Sequence, residues 1–159
     1  MFGLFKAADV IHPILGTLKW QHGYWRGELA LPDGERVPLM LGGSRKGPDE
    51  KALAQAIAVP NALRDLRSQL EHALFEHYAP CAEAFKEGHF KPDSGQFPEV
   101  TSPAQALQQA CIVAVVIDLL DDEMAAEVCY AVPWDEEHTL GARFRGTQWI
   151  ELCGSTLVP

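Results

Sequence analysis

Between residues 14 and 41 apolar positions alternate with polar ones, the period of two that marks strands with one buried face. Ile14, Gly16, Leu18 and Trp20 share a face, and His22-Gly23 supplies a turn. Trp25, Gly27, Leu29 and Leu31 then oppose Tyr24, Arg26, Glu28 and Ala30. Asp33-Gly34 reads as a type I′ hairpin turn into a third strand carrying Val37, Leu39 and Leu41. Pro38 cannot donate to a ladder, so its nitrogen is expected at an edge or a bulge.

The period then lengthens. Pro48-Asp49-Glu50 predicts a helix start, with Pro suited to the first position and acids to the positive end of the dipole. Leu53, Ala56 and Ile57 share a face before Pro60, which is expected to interrupt the helix. A long helix is predicted from Asn61 to Tyr78, on a stripe of Leu63, Leu66, Leu70, Leu74, Tyr78 and Phe85. Pro80 falls inside that stripe and predicts a kink or break. Lys86 to Val100 reads as a loop, ordered over the surface or acting as a flap. Ser102-Pro103-Ala104-Gln105 is a capping box opening a short helix that ends near Ala110.

Strand pattern returns in the last third. Ile112 to Leu120 is continuous and β-branched, as for a strand covered on both sides. Asp121-Asp122-Glu123 is a polar turn, after which Ala126, Val128, Tyr130 and Val132 alternate with Glu127, Cys129 and Ala131. Leu140, Ala142 and Phe144 follow, and Gly146-Thr147 turns into a last strand from Trp149 to Cys153. The fold class is therefore α+β: an N-terminal three-strand antiparallel meander, central helices and C-terminal antiparallel strands, as one domain over residues 1–159. The two strand sets are expected either to join in one sheet or to face each other across the helices.

Length and composition fit this reading. A chain of 159 residues with 47% hydrophobic content buries a core without staples. No signal peptide is evident at Met1 to Val10, and the longest apolar run, Cys111 to Ile117, falls well short of the roughly 20 residues a membrane span needs. Cys81, Cys111, Cys129 and Cys153 form no C-x-x-C pair and are expected to be free, buried thiols. The expected location is the cytoplasm, with no membrane association. The net charge of −9 sits wholly in residues 92–159, which carry only Arg143 and Arg145 against eleven carboxylates. That balance argues against nucleic acid, which demands a basic face.

Candidate chemistry is sparse. His72 and His77 lie about 140° apart on a helix and cannot chelate together. His77 and Cys81 could face one another, but no further ligand is evident, and His77 reads as a satisfied core histidine. No calcium-loop, nucleophile-elbow or phosphate-loop pattern is present; Gly42 to Gly47 comes nearest and lacks the order. No catalytic residue, metal or cofactor is expected, and the chain reads as a non-enzyme. The acids between Asp118 and Glu137 have no basic residue among them. If they cluster, they would steer a basic protein partner, with Trp134 or Trp25 as an aromatic anchor. The candidate binding residues are Asp121, Asp122, Glu123, Trp134, Asp135, Glu136, Glu137 and His138. The alternative is a small enzyme or ligand-binding domain, whose pocket between helices and sheet is lined by His138, Glu137 and Asp118.

Two stretches carry a resemblance: Leu15-Gly16 with Tyr24-Trp25-Arg26-Gly27-Glu28-Leu29, and Trp134-Asp135-Glu136-Glu137-His138-Thr139-Leu140-Gly141-Ala142-Arg143-Phe144. Together they resemble a small bacterial family of unknown function with a W-x-G strand near the start and a W-D-x-E-H-x-x-G motif before a final hairpin. Such proteins are similar to the accessory and immunity proteins found beside bacterial toxins. The resemblance implies an immunity-type binder and supplies no catalytic residues. His138 is expected to hold its turn through a ring N–H, and Gly141 to allow close packing.

Overall fold

Turn chemistry sets the first hairpins. The computed structural model describes residues 6–154. In it β1 (Val10–His12), β2 (Gly16–Gln21), β3 (Tyr24–Ala30) and β4 (Arg36–Leu41) pair antiparallel in succession. The meander thus has a short extra strand at its outer edge. His22 (φ 51°) and Gly23 (φ 87°) are both left-handed, as a type I′ turn requires. The second turn differs from expectation. Gly34 N–H donates to the Leu31 carbonyl at 2.9 Å and Leu31 N–H to Glu35 at 2.7 Å. Only the glycine takes a positive φ, 89°. This is a type I turn over Pro32-Asp33 closed by a glycine bulge, favoured because Pro32 presets the first central φ.

After β4 a small hairpin of β5 (Gly43–Ser44) and β6 (Gly47–Pro48) leads to α1 (Glu50–Asp65). Asp49, not Pro48, opens this helix: its carboxylate accepts the Lys51 and Ala52 N–H groups. The helix runs through Pro60 and ends at Leu66, where α2 (Arg67–Lys86) begins and runs through Pro80. The expected breaks at both prolines, and the single helix from Asn61 to Tyr78, are therefore corrected to one break at Leu66 (φ −92°, ψ 8°). Packing overrides the proline penalty here, because Val59, Ala62, Leu66, Leu70 and Leu74 are all buried against the sheet. The apolar face of α1 is Ala52, Ala56, Val59 and Ala62, while Ile57 is exposed. Small side chains there let the helix lie close to the strands beneath.

The segment from Glu87 to Thr101 is held over the surface. Phe97 stacks on Phe85 and Tyr78 at 4.8 and 5.7 Å between centroids, and the Tyr78 hydroxyl donates to Pro98 and accepts from Val100 N–H. Ser102 then caps α3 (Pro103–Gln109), its hydroxyl accepting from Gln105 N–H.

β7 (Cys111–Leu120), β8 (Glu123–Val132), β9 (Asp135–Arg145) and β10 (Gln148–Cys153) form the C-terminal antiparallel set. The two sets join in one eight-stranded sheet in chain order, through a parallel pairing of β4 with β7 that starts at Leu39↔Val115. A parallel neighbour needs a long crossover, and the helices supply it. Pro38 lies just outside that parallel ladder, where its missing donor is not needed. β7 is covered on both faces only from Val115 to Ile117, since Val113 and Leu119 are exposed. The strand covered on both faces over a long run is β8, sixth in the sheet, buried from Ala125 to Tyr130. No disulfide forms among the described residues, and of the four thiols expected to be buried only Cys129 is: Cys81 and Cys153 are half-buried and Cys111 is exposed. No helix among the described residues is long and apolar enough to cross a membrane.

Candidate functional site

The acidic third divides at β8. Asp121 and Asp122, both left-handed (φ 52° and 63°), form the turn before β8, while Asp135, Glu136 and Glu137 open β9 after it. Ten residues of strand at roughly 3.4 Å each put the two groups about 30 Å apart. They do not make one face. Both arginines of this region are engaged internally: Arg143 with Glu127 at 2.7 Å and Glu151 at 3.0 Å, Arg145 with Glu123 at 3.4 Å.

At the first end, Asp118 accepts the Tyr24 hydroxyl at 2.9 Å and Leu119 N–H at 2.8 Å. It lines a depression beside Gly42, Gly43 and Asp49. It is thus remote from His138 and Glu137: among the described residues those two line one pocket and Asp118 another.

At the second end a pocket of about 320 Å³ is formed between the C-terminal half of α2 and the start of β9. Pro80, Cys81 and Ala84 come from the helix, Phe90 from the following loop, and Trp134, Asp135, Glu137 and His138 from the sheet. The continuation of α2 past Pro80 is what builds the helical wall. Trp134 is 1% exposed and packs edge-on against Tyr78 at 5.5 Å. It forms the floor as part of the chain's own core; Trp25, away from this pocket, is likewise a core residue, its indole N–H donating to the Ser44 carbonyl.

A hydrogen-bonded row runs along one side. Trp134 Nε1–H donates to His77 Nδ1 at 3.1 Å; His77 Nε2 faces Asp135 Oδ2 at 3.9 Å; Asp135 Oδ1 meets His138 Nδ1 at 2.8 Å. Burial pushes the His77 pKa down, against the pull of Asp135. At neutral pH the 3.9 Å approach is therefore a polar contact and not an ion pair. The hydrogen bond to Asp135 and its charge hold the exposed His138 above its ordinary value. Glu136 accepts Asp93 N–H at 2.9 Å and so ties the long loop to the pocket rim.

Cys81 donates to the His77 carbonyl at 3.5 Å, and burial together with Asp135 raises its thiol pKa. That is opposite to the activation of a nucleophile. Among the described residues, no group of three or more His, Cys, Asp and Glu is arranged to hold a metal ion. Sequence reasoning missed Pro80, Ala84 and Phe90. Its one pointer was the i,i+4 spacing of His77 and Cys81, which do face the same region.

The motif positions have distinct jobs. A Cβ at Gly27 would meet Leu18 Cδ2 at 2.6 Å, and one at Gly141 would meet the fully buried Glu127 carboxyl carbon at 2.8 Å. The model of DUF6985, a domain of unknown function, matches residues 14–156. No curated protein and no solved structure matches the chain.

Proposed function

The chain belongs to the DUF6985 family, and from that premise we propose that it is a non-enzymatic binding protein that captures a basic protein partner. The partner's Lys or Arg side chain enters the pocket beside Asp135 and Glu137. An immunity-type role, neutralising a basic toxin in the bacterial cytoplasm, is the biological form of this reading, and it draws on the resemblance of the two motifs. One observation carries it: an apolar wall of Pro80, Ala84 and Phe90 faces Asp135 and Glu137, with no Lys or Arg among the lining residues. That combination suits a cationic head on an aliphatic stem, which buries methylenes while its charge meets carboxylates. Asp121 and Asp122, at the far end of β8, are left as surface charge, and Glu123 beside them pairs with Arg145. Trp134 serves by shaping the floor.

The alternative, a small enzyme or ligand-binding domain with a pocket lined by His138, Glu137 and Asp118, has less support, since Asp118 lines a separate depression and the pocket's one thiol, Cys81, has its pKa raised by burial. A short Lys- and Arg-rich peptide is the direct probe. It should bind the wild type, and bind about tenfold or more weakly to Glu137→Gln, consistent with a charge-assisted hydrogen bond. Ala84→Trp, which fills the pocket, should abolish binding with the fold retained. Equal affinity for all three proteins would refute the assignment.

A further inference from the structure

A second cavity, of about 300 Å³, lies at the other end of the helical layer, between the β3–β4 turn, the α1–α2 junction, α3 and the sheet. Its walls are apolar, chiefly Leu31, Leu63, Leu70, Leu107 and Ile112. Three features there share one electrostatic sign. Arg64 and Arg67 both line it. Arg64 donates to Asn61 at 2.9 Å and Arg67 to Glu71 at 2.8 Å, and each guanidinium retains further N–H groups. The first turn of α2 reaches the cavity through Arg67 and Leu70. That helix of 20 residues starts with no side-chain cap and no acid in its first turn, although the carbonyl end of α1 meets it at Leu66 and offsets part of its positive dipole end. Asp33 is the one acid in the lining, and its carboxylate already accepts Glu35 N–H.

The deciding group is Tyr130. It lines the cavity and is 2% exposed, yet its hydroxyl makes no hydrogen bond among the described residues. That oxygen is not among the buried side-chain atoms left without a partner, so it is reached from the cavity, which is of ligand size. We propose that this cavity is a binding site for a small monocarboxylate with an apolar body. The carboxylate would lie in the field of Arg64, Arg67 and the α2 N-terminus, and accept the Tyr130 hydroxyl proton in a hydrogen bond. The site is independent of the basic-partner pocket, from which it differs in both lining residues and charge.

The probes are benzoate and hexanoate, compared with benzamide and hexylamine, titrated into the full chain and followed by calorimetry and by chemical shifts of the Tyr130 ring. Both carboxylates should bind and shift Tyr130, with the amide and the amine at least about tenfold weaker, as expected for hydrogen bonds to a charged group. Tyr130→Phe should weaken the carboxylates about tenfold without lowering the melting temperature, because it removes a hydroxyl that has no internal partner. The pair Arg64→Gln and Arg67→Gln should abolish the preference for the anion, while Glu137→Gln changes nothing here. No binding by either carboxylate, equal binding of the amide, or Tyr130→Phe binding as well as the wild type would each overturn the proposal.

Discussion

His77 and His138 stand on either side of one carboxylate, yet their titrations are displaced in opposite directions from the ordinary 6.5. For His138 the folded state holds the proton more tightly, so its stabilising contribution is complete below 6.5 and fades as pH rises through the raised value. For His77 the unfolded state takes the proton first on acidification, so stability falls as pH drops below 6.5. The pair alone therefore favours stability close to pH 6.5. NMR titration of the two imidazoles should show His138 above and His77 below that value. Asp135→Asn should return His138 toward 6.5 and lower His77 further, since Asp135 raises both. Movement of both histidines upward in that variant would contradict the assignment of Asp135 as their shared partner. The same scale explains Gly141. Glu127 is wholly buried and reaches over that glycine to Arg143, so any side chain at position 141 would displace an ion pair whose disruption typically costs about 3–5 kcal/mol.

At the scale of elements, the long segment after α2 has no regular structure and is held by side chains. Phe97 stacks against Tyr78 and Phe85, and Glu136 binds Asp93 N–H. Such a loop opens locally without unfolding the sheet. Phe97→Ala should therefore speed proteolytic cleavage between Lys86 and Thr101 while hydrogen-exchange protection of β7 and β8 is retained. Equal loss of protection in the sheet would show that the loop is part of the cooperative core. Because Phe90 belongs to this loop and also lines the pocket, the same variant should weaken capture of the basic peptide. The helices make the converse point. Both carry an internal proline and both continue through it, because their buried faces supply more stabilisation than the lost backbone bond removes.

For the molecule as a whole, the net charge is −9, and the loop acids at the two ends of β8 form two separate groups. Long-range steering depends on net charge and is screened as the Debye length falls from about 10 Å at 0.1 M salt to about 3 Å at 1 M. Capture in the pocket depends on local contacts and is screened less. Neutralising Asp121 and Asp122 to Asn should therefore lower the on-rate of the basic peptide only modestly and leave its off-rate unchanged. Glu137→Gln should raise the off-rate. Stopped-flow binding across a salt series separates these, and a large off-rate change in the Asp121/Asp122 variant would return those residues to the interface.

Much was legible without coordinates because it is local. Alternation along Trp25 to Leu31, the Ser102 capping box, the His22-Gly23 turn and the polar turn at Asp121-Asp122 all act over a few residues, where propensity and hydrogen bonding suffice. The α+β order of elements follows from these. Other features depend on register and on distant packing. The break at Leu66 in place of Pro60 or Pro80 was settled by which helical face meets the sheet. The parallel β4–β7 pairing placed Asp118 far from His138, and the length of β8 divided one acidic run into two separate groups. Tyr130 lies more than sixty residues along the chain from Arg64 and Arg67, and no period or motif links it to them. They come together only because the helices fold back over the strand that carries Tyr130, so a pocket's chemistry is decided by tertiary contacts that sequence spacing does not encode.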